Sequence, residues 1–269
     1  MTDTVLIASP IRQKSEILEC FLTSLDRLYK SQYIVRYFFV DDNHEEASKQ
    51  LLREFQKKHP RCTIEQAPPC HTIYTCDTAT HRWKEELVWK VASFKDHFFR
   101  SAREEGDDWL FLVDSDLVLQ PKTLQHLIAL RKQIVSNIFW TKWQEDWPLL
   151  PQVWMTDRYN QFTMNIGESL SEEEKRWRRE EFLAKMLVKG TYEVGGVGAC
   201  TLIHRSAFLL PLHFQKIDNL LFWGEDRHFC VRARALGVQL FVDTHYPAYH
   251  IYRDTDLAGV ADFVQASQP

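Results

Sequence analysis

An aspartate pair one residue apart, Asp114 and Asp116, closes the apolar run "WLFLVDSDLVLQP". Aspartate is disfavoured inside strands, and a desolvated carboxylate needs a partner. Two carboxylates at a strand end suit a hard divalent cation, Mn2+ or Mg2+, with a diphosphate behind it. By itself such a pair also fits a solvent-facing acidic turn. Glu225 and Asp226 follow in "FWGED", and His245 and His250 in "VDTHYPAYHIYRD". Acids in a first helical turn are ordinary macrodipole partners, and a carboxylate within reach of a hydroxyl is also a general base. Either histidine offers a further ligand beside the aspartates.

The elements that must position these groups alternate along the first half of the chain. "TVLIASP" predicts a strand, "KSEILECFLTSLDRLY" a helix, and "YIVRYFFVDD" a second strand ending on Asp41 and Asp42. "EEASKQLLREFQKKH" is then a helix closed by Pro60, and "WKEELVWKVASFKDHFFRSAREEG" a long one with Gly106 as its stop. "DWLFLVDSD" is apolar on both faces, like the centre of a parallel sheet. Parallel strands joined by crossover helices follow from this order. Both acidic pairs then stand at carboxyl ends of strands, where open α/β sheets bind ligands.

In the second half, "IVSNIFW" and "PQVWM" predict strands, and "TLIHRSAF" a strand turning into a short helix. "SEEEKRWRREEFLAKMLVKG" opens with a capping box, Ser171 to Glu174, and spans a charged helix over 171–189. That helix reads as a solvated surface element, or as a lid hinged on the "VGGVG" that follows it.

Composition narrows the function. A chain of 269 residues, 45% hydrophobic, forms one large core, and no linker divides it. The net charge of −4 argues against a nucleic-acid partner. No apolar run is long enough for an integral membrane segment, and "MTDTVLIASP" lacks the features of a signal peptide, so a cytoplasmic location is expected. Cys70, His71, Cys76, Asp77 and His81 crowd one stretch, but their spacing fits none of the usual zinc patterns. Trp140, Trp143, Trp147, Trp154 and Trp223 lie around the motifs, as core residues or as faces for a sugar ring.

Taken together, the acid after strand two, the DxD, "GGVG", "GED" and a late histidine resemble the GT-A glycosyltransferases, chiefly glycosyltransferase family 2. "WLFLVDSDLVLQP" and "VGGVGACTLIHRSAF" are also similar to the Anp1-like mannosyltransferases. The resemblance implies a single α/β domain with a mostly parallel, Rossmann-like central sheet flanked by helices. It divides the chain into a nucleotide-binding half, about 1–120, and an acceptor-binding half, about 121–269, with the lid helix in the second.

What it implies for the site is specific. Pro10, Arg12, Asp41 and Asp42 hold the nucleobase and ribose, with Lys95 at a position more often filled by arginine. Asp114 and Ser115 lie near ribose and donor sugar, and Gly195, Gly196 and Trp223 meet that sugar. Asp116 and His250, with Asp114, bind Mn2+ or Mg2+, His245 being the reserve ligand. Asp226 is the general base if the transfer inverts, with Glu225 orienting it or binding acceptor hydroxyls, while the Anp1-like likeness implies a retaining transfer as the alternative. The expected donor is a UDP- or GDP-sugar and the acceptor a carbohydrate, peptide or small molecule. A non-catalytic nucleotide-sugar-binding relative and a DxD metal-dependent phosphatase are the alternatives. The phosphatase would place its DxD after the first strand, which ends here on "IASP".

Overall fold

The computed structural model describes residues 2–69, 75–76, 81–82, 84–144, 146–221 and 224–268, with backbone alone at 75–76 and 81–82. The side chains of Cys70, His71, Cys76, Asp77 and His81 lie outside the described residues.

The first half alternates as the hydrophobic pattern requires: β1 (Thr4–Ile11), α1 (Ser15–Arg27), β2 (Ile34–Asp41), α2 (Glu46–Lys58) and β3 (Cys62–Gln66). A short ladder of β4 (Thr75–Cys76) and β5 (His81–Arg82) precedes α3 (Glu85–Glu105). Then come β6 (Trp109–Leu112), β7 (Leu117–Val118), α4 (Thr123–Ala129) and β8 (Ile134–Thr141). Short pieces follow: β9 (Leu150–Pro151), β10 (Val153–Trp154), α5 (Glu172–Met186), β11 (Thr191–Val194) and β12 (Gly196–Val197). The chain finishes with β13 (Thr201–His204), α6 (Arg205–Phe208), α7 (Glu225–Ala235), β14 (Leu240–His250) and α8 (Val260–Ala266).

The main sheet runs β11-β14-β8-β13-β6-β1-β2-β3, with β7 paired to β14 and β9 to β8. β6, β1, β2 and β3 are parallel neighbours, as are β8 and β14, while β13 and β11 run antiparallel. The sheet is therefore mixed, with the all-parallel half β6-β1-β2-β3 that the apolar strands imply and antiparallel strands β13 and β11 set into the other half. β3 escapes sequence reading because it is a short edge strand with a single buried residue, Cys62. β7 is two residues long and carries no periodicity.

Helices cover both faces. Phe98, Phe99, Phe208 and Phe229 from α3, α6 and α7 pack on one face with Leu110 and Val242. Phe21, Phe55 and Leu127 from α1, α2 and α4 pack on the other with Phe39, Phe111 and Val135. Burying one such side chain contributes roughly 1.5–3 kcal/mol. Gly106 ends α3 at φ 73°, the left-handed conformation that a helix stop needs. α5 keeps its capping box, since Ser171 Oγ accepts from Glu174 N–H and Glu174 accepts from Ser171 N–H. It ends at Met186, short of the expected Lys189, because Leu187 and Val188 find nothing to bury against and are exposed. Among the described residues no helix is long and apolar enough to cross a membrane.

The β10–β12 ladder fixes "GGVG" against the chain itself. A Cβ on Gly195 would lie 1.9 Å from Met155 O, and one on Gly196 2.0 Å from the Trp154 ring. Backbone cannot yield as a flexible side chain can. Gly195→Ala is therefore expected to destabilise by about 1–3 kcal/mol, read as a lower midpoint in chemical denaturation. An unchanged midpoint would show that this ladder gives way freely.

Candidate active site

The parallel register brings the predicted acids to one edge. Ala8 pairs with Leu112, Pro10 with Val40 and Ile11 with Asp41, so the strand ends carrying Pro10, Asp41 and the DxD emerge side by side. Asp41 is buried and spent on its own loop: Oδ1 accepts from Asn43 N–H (3.0 Å) and Asn43 Nδ2 (2.8 Å), and Oδ2 from Gln66 Nε2 (2.9 Å). Asn43 in turn accepts from Gln13 N–H at 2.8 Å, which shapes the turn after β1. Asp42 is half-buried and meets two cations, Lys90 at 2.7 Å and Arg12 at 3.6 Å. Of the two acids it is Asp42 that joins Arg12 at this edge.

Lys95 departs from its expected company. On α3, positions 88, 92, 95, 99 and 102 are buried at helical spacing, which carries Lys95 inward with the apolar stripe. Its ammonium donates to Glu225 Oε1 at 2.7 Å and Asp226 Oδ1 at 2.8 Å, and lies 5.1 Å from the Phe214 ring centre. The sequence placed it beside the nucleotide; the structure pairs it with "GED". The signal that finds it is a lysine occupying a core position of an amphipathic helix. Burial favours a neutral amine, but Asp226, Glu225 and Asp114 outweigh it and hold the Lys95 pKa well above the ordinary lysine value.

Asp114 lines one small cavity with Lys95, Asp226, Gly198 and Thr201, walled by Phe214 and Phe229. Burial pushes Asp114 up to about 7, opposed by Lys95 and reinforced by Asp116 and Asp226. Burial likewise raises Asp226 to about 6, against the pull of Lys95. Glu225 and Asp226 open α7 after Gly224, whose φ of 127° suits glycine alone. Asp226 gives Oδ1 to Lys95, while its Oδ2 lies 3.5 Å from where a Cβ on Gly198 would stand. Gly198 was not among the expected site residues; Gly195 and Gly196 were, and they press on Met155 and Trp154.

The DxD splits between two partners. Asp114 belongs to the Lys95 cluster, whereas Asp116 faces His250, Oδ2 to Nε2 at 3.5 Å. This meeting is built by backbone: β14 pairs antiparallel with β7, His250 opposite Leu117, and Ile251 N–H donates to Asp116 O at 2.9 Å. Thr141 Oγ1 shares a 2.8 Å hydrogen bond with His250 Nδ1, leaving Nε2 toward Asp116. A second atom fixing the ring is what a metal-binding imidazole requires. Ser115 is buried between the two aspartates. His245 does not join them: its Nδ1 lies 2.9 Å from Asp243 Oδ2.

The tryptophans divide. Trp154 is buried against Tyr159, ring centres 4.5 Å apart, and is a core residue. Trp143 and Trp147 are exposed, and Trp223 lies outside the described residues. Nearby, Thr156, Asn160, Phe162 and Met164 face Glu172, Lys175, Arg176 and Arg179 of α5 across a cleft of about 530 Å3. The same loop is anchored to α7 by Asp157 on Arg227 at 2.6 Å.

Two kinds of comparison bear on this geometry. The model of the "Glycosyltransferase family 25, N-terminal domain" matches residues 2–147, more than half of the chain. The chain belongs to that family. The sequence motifs point chiefly to family 2, whereas the matching model is that of family 25. No curated protein matches the chain. Among solved structures, the mannosyltransferase PcManGT from Pyrobaculum calidifontis, in complex with GDP-Man and Mn2+, superposes with a TM-score of 0.56 at 11% identity over 93% of this chain. S. aureus TarS 1–349 gives 0.52 at 12% identity over 98%. GalNAc-T7 with UDP, GalNAc and Mn2+ gives 0.55 at 15% identity over 93%. The chain spans 57%, 65% and 43% of those three chains. At such identities the likeness is one of fold, and the family 25 chain has the GT-A fold of the glycosyltransferases.

The Lys95 cluster has a pH signature. Asp114 and Asp226 hold protons more tightly folded than unfolded, so their contribution to stability falls as pH rises from the ordinary aspartate range through about 6–7. Lys95→Met leaves these carboxylates without their counter-ion and is expected to cost about 3–5 kcal/mol at pH 7. The deficit should shrink at pH 5, where the carboxylates take up protons. Paired thermal melts of parent and variant at both pH values test this; a deficit independent of pH would remove Lys95 as the neutralising group.

Proposed function

We propose that this family 25 chain transfers a sugar from a nucleotide-sugar donor, a UDP- or GDP-sugar, to a hydroxyl of a carbohydrate, peptide or small-molecule acceptor, with inversion. The observation that carries the reading is the apposition of Asp116 and His250, two groups of the kind that ligate a divalent ion, held together by the pairing of β7 with the end of β14. The ring fixed through Nδ1 on Thr141 and the half-buried carboxylate fit Mn2+ or Mg2+, with Asp114 on the adjacent side. When bound, such an ion offsets the charge that develops on a leaving diphosphate. Two of the solved relatives are described with Mn2+ and a nucleotide or nucleotide sugar, which agrees with this assignment.

The chain's own residues supply the rest. Pro10, Arg12, Asp41 and Asp42 border the base and ribose, Asp41 by shaping the loop and Asp42 through its pairing with Arg12. Ser115 lies between the two aspartates next to the donor, and Gly195 and Gly196 set the floor from which Gly198 approaches Asp226. Asp226 Oδ2 takes the acceptor proton while Oδ1 stays on Lys95, and Glu225 holds the second hydrogen bond to that ammonium. A positioned base contributes roughly 10²- to 10⁴-fold. The half about 121–269 receives the acceptor, and α5 borders the cleft beside it as the lid.

One observation favours a second reading on the same residues. An ammonium on the carboxylate weakens it as a base, which suits a retaining transfer in which Lys95 and Asp226 only frame the site.

Two substitutions separate the roles. Asp116→Asn should lose Mn2+-dependent binding of nucleoside diphosphate in calorimetry, whereas Asp226→Asn should keep it and lose about 10²-fold or more in nucleoside diphosphate release. Undiminished affinity in chelator would reject Asp116 as a ligand, and parental turnover in Asp226→Asn would favour retention. For α5, amide exchange over 172–186 should slow when nucleotide and Mn2+ are added together; equal protection with and without them leaves it a plain surface helix.

A further inference from the structure

We infer that a second, separate cation site of the zinc type is built from His126, Asp243 and His245. Asp243 is fully buried, and its Oδ2 gathers His126 Nε2 (3.2 Å), His245 Nδ1 (2.9 Å) and Thr191 Oγ1 (2.8 Å). Its Oδ1 accepts from His245 N–H at 3.0 Å. Among the described residues no lysine or arginine reaches this carboxylate within 4.0 Å, its ionic partners being the two histidines. A buried carboxylate of this kind needs a positive charge beside it. The two rings lie 4.6 Å apart, and the three ligand atoms fall within 4.8 Å of one another. A tetrahedral ion bound at about 2.0–2.1 Å needs its ligands about 3.3 Å apart, which small ring rotations achieve.

The site is distinct from the pair Asp116 and His250. Asp243 pairs with Thr191 on β11 and Asn137 on β8, ahead of the irregularity in β14 between Asp243 and Ala248, and His250 follows that irregularity. His126 comes from α4, on the sheet face opposite the α3 and α7 residues that carry Lys95 and Asp226. Two imidazoles and one carboxylate prefer Zn2+ over Mg2+ or Mn2+. His126 and His245 are part-exposed, so an ion has an entry path and water a fourth position. The ion would clip α4 to β14, the strand whose far end presents His250.

The test uses the Asp116→Asn chain, which removes the donor-side site from the count. Calorimetry with Zn2+ is expected to show one equivalent bound, with His126→Ala or His245→Ala each weakening it by roughly tenfold or more. Zn2+ should raise the melting temperature, and Mg2+ should not. Co2+ in place of Zn2+ should give ligand-field absorption without a thiolate charge-transfer band, which separates this site from the cysteines. Unchanged Zn2+ affinity in both histidine variants, or a thiolate band, overturns the proposal. If either variant folds poorly by circular dichroism, the imidazole resonances of His126 and His245 in the Asp116→Asn chain decide: both shifting at one equivalent of Zn2+ supports the site, and both unmoved overturns it. An imidazolium held by Asp243 in place of a metal is the outcome in which no Zn2+ binds at all.

Discussion

The ammonium of Lys95, almost completely buried, is the charge around which the acids of this edge of the sheet are assembled. Without it, Asp114 and Asp226 on one apolar-walled cavity, with Glu225 beside them, would be three uncompensated carboxylates, an arrangement that low dielectric makes costly. With it, the stem of α3, the end of β6 and the start of α7 are tied to a common point. The tie fixes which oxygen of Asp226 is spoken for and which faces Gly198. Burial, reinforced by the neighbouring acids, keeps Asp114 up at about 7 and Asp226 at about 6 against the pull of Lys95.

Close backbone packing holds the other side of the cleft. Gly195 and Gly196 admit no side chain because Met155 and Trp154 lie where a Cβ would be. That contact seats the β10–β12 ladder, and the loop beyond β10 reaches α7 through Asp157 and Arg227. The glycines therefore act through the chain's own packing and place Asp226 by consequence. Asp116 and His250 are matched in a similar way, since β7 and β14 bring them face to face through strand pairing and a main-chain hydrogen bond. In both cases side-chain geometry is inherited from backbone contacts between segments remote in sequence.

Apart from short strands such as β3 and β7, the order of strands and helices, the parallel core and the edge at which the acids gather were legible in the sequence because each rests on local periodicity and on where apolar runs stop. "DWLFLVDSD" has to be a central strand, and whatever follows its last apolar residue has to emerge at the carboxyl edge. The capping box of α5 and the glycine stop of α3 are likewise local, made by residues within one helical turn. The pairing of the DxD with His250 was reached through the resemblance, whose spacing sets the ligand seven residues beyond Asp243.

Only the tertiary structure decided which charge answers which. Lys95 and "GED" are far apart along the chain, and nothing local says that a lysine on a buried helical stripe meets a pair of acids opening another helix. The same holds for Asp41 turning into its own loop while Asp42 takes Arg12 and Lys90, and for His245 leaving the DxD to join His126 on Asp243. Periodicity fixes which face of an element a residue occupies. Electrostatic partnership depends on distances between elements, and those exist only once the sheet has closed its register and the helices have packed.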